Sequence, residues 1–405
     1  MKLLENKNIL VGVTGSIAVY KTIELVRLYK KSGADVRVIM SLSAKKFVNP
    51  ITFETISQNK VIDDENEDWS TKTDNNHIAI GKWADIFVIA PTTASTVNKL
   101  SNGYADNILT STVLAYSKVK LIAPAANTNM IQNPLTKKSL ENLQLCNFKL
   151  INSISKELAC KDIGDGAMAE VEDIFNITVK ELLKDDYWSG RDVVLNGGGT
   201  IEKIDDVRYI SNFSSGKMAA SLATALYYCG ANVTLVTTKD IKVPKEINIF
   251  KVQSSLEMFE CCTSALEDTK GSKKPYFFGV AAVSDYTPSV VKIGKLKKDQ
   301  IGNEWSLKLK KNIDILQSIK KENIYTIGFK AEMDKTTAKQ NALNMLKKKT
   351  LDGVCLNILD KDNSFGGDEN FLEVITKEGS TIINTALKLE VSLKLLELLK
   401  GKFSE

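Results

Sequence analysis

Two stretches of this chain, residues 8–26 and 192–229, each read as a buried strand running into a loop of small residues and then a helix. In the first, Ile9, Leu10, Val11 and Val13 form a continuous apolar strand, and Thr14-Gly15-Ser16 supplies a turn and helix N-cap. Val19, Ile23 and Val26 follow at helical spacing, Gly33 stops that helix, and ADVRVIM alternates into a second strand. A β-α-β unit of this kind crosses over right-handed, which leaves its strands parallel. With further buried strands at 85–90 and 119–123, the first half predicts an open, doubly wound parallel α/β sheet. The second half repeats this grammar. A strand at Val193–Val194–Leu195 meets a run of glycines, a helix spans 218–228, Gly230 stops it, and a strand follows at 232–236. Later strands read at 276–280, 325–329, 354–356 and 371–376, before a Leu-rich amphipathic helix at 387–399. Periodicity lapses in KDDYWSG, so the boundary is expected there, giving Rossmann-like domains at 1–188 and 189–405 without a sequence repeat.

A length of 405 residues exceeds one comfortable core and suits two or three domains. The 54 basic and 49 acidic side chains leave a net charge of +5 with no basic arm or stripe, which argues against a nucleic-acid partner. No segment offers about 18 uninterrupted apolar residues, and MKLLENKNIL lacks a signal peptide's apolar core. A cytoplasmic protein with no membrane partner is therefore expected. Cys146, Cys160, Cys229, Cys261, Cys262 and Cys355 form no C-x-x-C pair and have no partner histidine spacing. Reduced thiols are expected, with neither a disulfide framework nor a zinc site.

A turn of small residues at the carboxyl end of a strand presents backbone N–H groups at a helix N-terminus, where phosphate is favoured. Gly15 and Ser16 fit that role, although GVTGS lacks a full dinucleotide fingerprint and a mere chain reversal reads equally well. The hydroxyls of Thr92, Thr93, Ser95 and Thr96 follow the strand DIFVIA. They could hold a flavin phosphate or ring; a helix cap would need only one of them. His77, the only histidine, would by itself read as a surface or capping residue. APAANTNM directly after a buried strand, and LACKDIGDG with a thiol among glycines, have the composition of active-site loops and lids. In the second half, NGGGT and NFSSGK with Lys217 make an anion cradle, while either glycine run alone reads as a structural turn. The glycine spacing of a Walker loop is absent. The lysine-dense stretch 292–311, with Lys295, Lys297 and Lys298, reads first as a solvated loop.

GVTGSIAVYK, HIAIGKWADIFVIAPTTASTVNKLSNGYADNIL, APAANTNM and LACKDIGDGAM together resemble the flavin-containing cysteine decarboxylases of the phosphopantothenoylcysteine type, over residues 5–180. The resemblance implies a flavodoxin-like fold and FMN, with contacts at Gly15, Ser16, Ser43, Thr92, Thr93, Ser95 and Thr96. It also implies an essential His77, an Asn127 that binds the substrate carboxylate, and a Cys160 that donates a proton. Loss of CO2 from an unactivated cysteinyl carboxylate would leave an unstabilised carbanion. Prior oxidation of the thiol to a thioaldehyde supplies the electron sink, and reduction with a proton from Cys160 returns the saturated thiol. Departures from the family pattern fall at Ala126, Ile131, Lys161 and Ala167.

GGGTIEKIDDVRYISNFSSGKMA, GVAAVSDYTP, KLKK, KKNIDIL, IGFKAE and LDGVCLN followed by FGGDEN resemble the phosphopantothenate-cysteine ligases over residues 190–400, and the fused order matches the bacterial bifunctional enzymes of coenzyme A biosynthesis. That resemblance implies a CTP site at Gly279, Val280, Ala281, Asp285, Lys295, Asn312, Ile313, Asp314, Ile315, Phe329 and Lys349. Lys295 would neutralise transition-state charge and Asn212 would handle an acyl-cytidylate. Met345 stands where a lysine is usual, and Ile313 where proline is. The implied substrates are 4'-phosphopantothenate, L-cysteine, CTP with Mg2+, and 4'-phosphopantothenoylcysteine. The implied assembly is a homo-oligomer in which decarboxylase trimers and ligase dimers build a dodecamer. Two other readings stay open: a dinucleotide-dependent oxidoreductase, which expects an acidic residue where Met40-Ser41 stand, and a non-catalytic FMN-binding scaffold or regulatory subunit.

Overall fold

The structure, a computed structural model, describes residues 2–70, 75–157, 163–297, 304–359 and 366–403. Two compact units divide the chain at Leu183/Lys184.

The first unit runs β1 (Asn8–Val13), α1 (Val19–Lys31), β2 (Asp35–Met40), α2 (Pro50–Ser57), α3 (His77–Trp83), β3 (Ile86–Thr92), α4 (Ala94–Ser101), α5 (Ile108–Ala115), β4 (Lys120–Pro124), α6 (Thr128–Gln132), α7 (Pro134–Leu145), β5 (Phe148–Leu150), β6 (Ile154–Glu157), β7 (Ile163–Ala167) and α8 (Val171–Leu183). Five parallel strands lie in the order β2-β1-β3-β4-β5, the flavodoxin-like order. Alternation along the strands splits the apolar side chains between the two faces. Leu10, Phe87, Ile89 and Ile122 meet Ile80, Val97, Leu109, Val113 and Leu143 on one face. From the other, Thr22 Oγ1 of α1 donates to the Ala90 carbonyl at 2.8 Å, and Tyr29 reaches Thr178 of α8 at 2.6 Å. Polar residues set the helix starts that matter for the site. Asn76 Oδ1 accepts from the N–H groups of Ile78 and Ala79, Thr93 caps α4, and Asn107 forms a capping box with Thr110.

Three local expectations change. Ser16 is not the N-cap of α1: the helix starts at Val19, and the Ser16 hydroxyl accepts from Ala18 N–H at 3.3 Å. β3 extends through Pro91 and Thr92 instead of yielding to a loop at Ala90. The glycine-bearing loop becomes partly strand, because Ile163–Ala167 pairs antiparallel with Ile154–Glu157.

The second unit runs β8 (Asp192–Gly197), β9 (Glu202–Lys203), β10 (Tyr209–Ile210), α9 (Lys217–Tyr228), β11 (Asn232–Thr237), β12 (Asn248–Lys251), α10 (Ser255–Glu267), β13 (Tyr276–Gly279), β14 (Tyr286–Pro288), β15 (Leu309–Lys311), α11 (Ile315–Ser318), β16 (Tyr325–Glu332), α12 (Ala338–Lys348), β17 (Gly353–Ile358), β18 (Glu369–Thr376), β19 (Gly379–Leu387) and α13 (Lys388–Lys402). Its sheet has the order β12-β11-β8-β13-β16-β17-β18-β19, parallel through β17 and closed by the antiparallel β18–β19 hairpin. One core packs Val194, Val236 and Phe277 on Met258 and Cys262 of α10; another packs Val354, Leu356 and Ile375 on Ala338, Ala342 and Leu346 of α12.

Candidate functional sites

In the first unit, the chain reversals after β1, β2, β3 and β4 meet at the carboxyl edge of the sheet around a cavity of about 880 Å3. β1 and β3 are neighbours with β2 beyond β1, so this is the crevice where strand order reverses and such folds take ligands. Gly15, Ser16, Ser43, Thr93, Ser95 and Thr96 all line it. A Cβ on Gly15 would lie 2.5 Å from Ser43 Cβ, so the two loops touch where a side chain would otherwise stand. Thr14 ties the floor together: its hydroxyl donates to the Pro91 carbonyl at 2.7 Å and accepts from Thr93 N–H at 3.0 Å. Thr92 does not line the cavity. It is buried, and its hydroxyl donates to the Ile89 carbonyl at 2.6 Å.

Asp64, Lys99, Asp106, Asn107, Thr110 and Met130 also line the cavity. The polar run NGYADN between two helices marks Asp106 and Asn107, and Met130 ends the APAANTNM loop, whereas Asp64, Lys99 and Thr110 have no local signal. Lys99 pairs with Asp106 and holds that carboxyl below the usual range.

His77 opens α3 and does not line this cavity. Its Nδ1 lies 2.7 Å from Glu67 Oε1, which also accepts its backbone N–H at 3.2 Å, and its ring meets Trp69 edge-on at 4.9 Å. A carboxylate only accepts, so Nδ1 carries a proton toward Glu67, and Nε2 is the ring nitrogen outside that pair. Asn127 caps α6, accepting from Asn129 N–H at 2.9 Å, just past the lining residues Ala125 and Ala126. The β6–β7 ribbon lies directly on this loop. Ala126 N–H donates to the Gly166 carbonyl at 3.0 Å, and a Cβ on Gly166 would fall 2.1 Å from the Ala126 carbonyl oxygen. Cys160 and Lys161 lie outside the described residues.

In the second unit two neighbouring cavities share Ala281, Ala282, Phe329, Lys330 and Ala331. The larger, about 540 Å3, is lined by Gly279, Ala281, Asp285, Asn312, Ile313, Asp314, Ile315, Phe329, Met345 and Lys349. Asn312 shapes this wall from within. Its amide donates to the Ser284 carbonyl at 3.0 Å, and its Oδ1 accepts from Ser255 Oγ at 2.8 Å and Ile313 N–H at 3.0 Å. Asp314 caps α11 and pairs with Lys349 at 2.8 Å. Asn196, at the end of β8, accepts from Val280 N–H at 2.8 Å and Ala281 N–H at 2.9 Å, a role hidden behind the glycine run that follows it.

The smaller cavity, about 190 Å3, is bounded by Val280, the 213–219 turn into α9, Lys330, Asn357, Asn370 and Lys388. The expected cradle of Ser214, Ser215, Gly216 and Lys217 lies here. Asn212 and Lys295 line neither cavity. Asn212 is exposed, with its amide donating to the Val283 carbonyl at 3.0 Å. Lys295 is exposed on a segment pinned beside it: Asp205 Oδ2 accepts from Leu296 N–H at 3.2 Å, and Arg208 donates to the Leu296 carbonyl at 2.8 Å. Among the described residues, no cluster of three or more His, Cys, Asp or Glu could hold a metal, and no helix is long and apolar enough to cross a membrane.

The sequence profile of the family described as Flavoprotein matches residues 2–183, and that described as DNA/pantothenate metabolism flavoprotein, C-terminal domain, matches residues 188–402. The coenzyme A biosynthesis bifunctional protein CoaBC of Haemophilus influenzae is 38% identical over 397 residues, covering 97% of each chain. This chain belongs to the CoaBC family. The relative in Borreliella burgdorferi is 36% identical, covering 98% of this chain and 99% of its own. A solved PPC decarboxylase mutant, complexed with pantothenoylaminoethenethiol, is 33% identical with a TM-score of 0.40, covering 42% of this chain and 96% of that one. As a CoaBC member the protein is a bifunctional enzyme of coenzyme A biosynthesis, with decarboxylase and ligase activities. The oxidoreductase and scaffold readings give way to it.

Proposed function

We propose that the second unit couples 4'-phosphopantothenate to L-cysteine through a CTP-derived acyl-cytidylate, and that the first decarboxylates the resulting 4'-phosphopantothenoylcysteine to 4'-phosphopantetheine with FMN. One observation carries the ligase half: of the residues expected to bind CTP, all but Val280 and Lys295 line the larger second-unit cavity, and Val280 lines its neighbour. In this reading the base and ribose lie in the larger cavity against Phe329 and Asp285, and the phosphates pass over the shared wall toward the α9 N-terminus and Lys217. The substrate carboxylate attacks the α-phosphorus, the bond to the β-phosphate oxygen breaks, and pyrophosphate leaves. The cysteine amine then attacks the acyl carbon and CMP leaves. A carboxylate is too poor an acyl donor until that leaving group is attached. Lys295 is assigned to the transition-state charge, carried on the segment that Asp205 and Arg208 anchor, and Asn212 to the acyl intermediate. Mg2+ enters with the triphosphate as part of the substrate.

The first-unit cavity fits a flavin mononucleotide: Gly15 lets the loop after β1 close on Ser43, which brings Ser16, Ser43, Ser95 and Thr96 around one space that a phosphate can enter. A bound flavin would supply the two-electron oxidation and its reversal that a cysteinyl carboxylate needs to lose CO2. Asn127 orients the carboxylate and Cys160 delivers the final proton. The Glu67–His77 pair lies off its own chain's cavity, whose rim exposes Ile17, Leu42, Phe47 and Met130. That exposed apolar rim supports an oligomer in which His77 serves the flavin of a neighbouring copy. Trimers of the first unit, dimers of the second and a cytoplasmic location belong to the same proposal. The test supplies purified protein with 4'-phosphopantothenate, cysteine, Mg2+ and either CTP or ATP, and follows pyrophosphate and CO2 separately. CTP should support both products in equal amounts. Pyrophosphate release that is independent of cysteine and 4'-phosphopantothenate would overturn the reading.

A further inference from the structure

The smaller second-unit cavity carries a charge arrangement that the fold alone disfavours. Lys388 is the first residue of α13, where the partial positive charge of a helix N-terminus repels an ammonium group. It is partly buried, and burial followed by the nearby Lys217 ammonium pushes it down from its usual range, with Asp368 opposing. Lys217 begins α9. Two like charges thus converge from two helix N-termini onto one cavity. Their described partners are nearly all neutral. Lys388 Nζ donates to the carbonyls of Gly367 and Glu369, the latter at 2.8 Å, while Lys217 Nζ donates to the Gly366 carbonyl at 2.8 Å. Among the described residues the one carboxylate in contact is Asp368, bonded to Lys217 at 2.6 Å with a side chain 77% exposed. Asn370 lines the same cavity at 3% exposure; its Nδ2 donates only to Met218 Sδ at 3.4 Å while its Oδ1 is buried with no hydrogen-bond partner among the described residues, and the reversed amide would present Nδ2 to a bound anion. Among the described residues, Lys388 keeps one of its three N–H donors uncommitted. A partly buried ammonium beside a second one, held among the described residues mostly by backbone carbonyls, suits a site that receives a polyanion.

We propose that Lys388 binds the β- and γ-phosphates of the nucleoside triphosphate and holds pyrophosphate as it leaves. The inference rests on the reading of the adjoining cavity as the nucleotide site. As the α-phosphorus bond to the bridging oxygen breaks, negative charge accumulates on the departing pyrophosphate, and an ammonium already aimed at it needs no reorganisation. Asp368 acts as the internal anion that occupies Lys217 until the triphosphate displaces it.

Full-length protein is titrated by calorimetry with pyrophosphate and, in parallel, with cytidine, which carries the base and ribose without phosphate. Lys388→Gln should weaken pyrophosphate binding at least tenfold and leave cytidine binding unchanged, and Lys388→Arg should retain most of the pyrophosphate affinity. A lysine that only braces the 366–369 turn would lower thermal stability without separating the two ligands. Cytidine binding by wild type, with equal pyrophosphate affinity in wild type and Lys388→Gln, overturns this inference and leaves the nucleotide reading standing. Failure of wild type to bind cytidine or CTP overturns both. Should Lys388→Gln not fold, acetic anhydride footprinting of wild type decides: pyrophosphate must protect Lys388 from acetylation, and undiminished labelling refutes the assignment.

Discussion

Gly15→Ala tests the flavin cradle by its narrowest contact. The new methyl would sit 2.5 Å from Ser43 Cβ and 3.1 Å from the Ser43 carbonyl carbon and oxygen, against about 3.5 Å or more for an ordinary carbon contact. One loop must therefore retreat by about 1 Å. Ser43 cannot retreat freely, because the Ser41 N–H donates to the Val13 carbonyl at 3.0 Å and the Ser41 carbonyl accepts from Ala44 N–H at 2.9 Å. Overpacking of this kind costs about 1–3 kcal/mol. Borne by the flavin-competent arrangement, that is roughly a 5- to 150-fold loss of FMN affinity. The assay is titration of apoprotein with FMN, followed by quenching of flavin fluorescence. Gly103→Ala is the control. Gly103 has φ +70° and open space around it, so the substitution should cost about 1 kcal/mol of stability and no FMN affinity. Wild-type FMN affinity in Gly15→Ala would refute the reasoning.

Glu67→Leu should lower CO2 release by about 10- to 100-fold with flavin retained, since it leaves His77 without the acceptor that fixes its tautomer; the readout is the rate of decarboxylation of supplied 4'-phosphopantothenoylcysteine. Gly166→Ala should lift the β6–β7 ribbon from the Ala126 carbonyl and slow decarboxylation while pyrophosphate release continues. Arg208, then the N–H groups of Val207, Arg208 and Leu296, hold the Asp205 carboxyl well below the usual range. Because its folded value is depressed, its stabilisation is complete above about pH 4 and is lost as pH falls through that folded value. The Tm gap between wild type and Asp205→Asn should therefore be constant from neutral pH down to about 5 and shrink in stronger acid. Burial pushes the Cys229 thiol up to about 12 and those of Cys262 and Cys355 higher still, whereas Cys146 is exposed. A thiol reagent at neutral pH should label Cys146 in native protein and reach those three only after unfolding.

The parallel strands were legible because a strand buried on both faces must be apolar throughout, as in NILVGV and DVVL, and the small residues that follow it mark the sheet's carboxyl edge. Ligand loops collect at that edge, so Gly15, Ser16 and Thr93 stand out from local pattern, whereas Gly279 and Ala281 follow only from the family resemblance. The two-stranded ribbons carry no such local signal. β9–β10 and β14–β15 are two or three residues long, and their pairing is decided by distant contacts such as Asn312 N–H to the Asp285 carbonyl at 2.8 Å. β12 is wholly exposed at the sheet edge, so its sequence carries no burial pattern to read. The capping box of Ser254 and Glu257 before α10 was present in the sequence, but its apolar face is short. Lys388 and Asn370 reach the second-unit cavity only because the β18–β19 hairpin turns the chain back, an arrangement with no local signature.

Two separate chemistries in one chain are best tested by single-point inactivation of each unit in the full-length protein. With 4'-phosphopantothenate, cysteine, Mg2+ and CTP supplied, Cys160→Ala should keep releasing pyrophosphate and accumulate no 4'-phosphopantetheine. Lys295→Gln should lose pyrophosphate release yet still convert supplied 4'-phosphopantothenoylcysteine. Loss of both products in either soluble, folded variant would contradict the account.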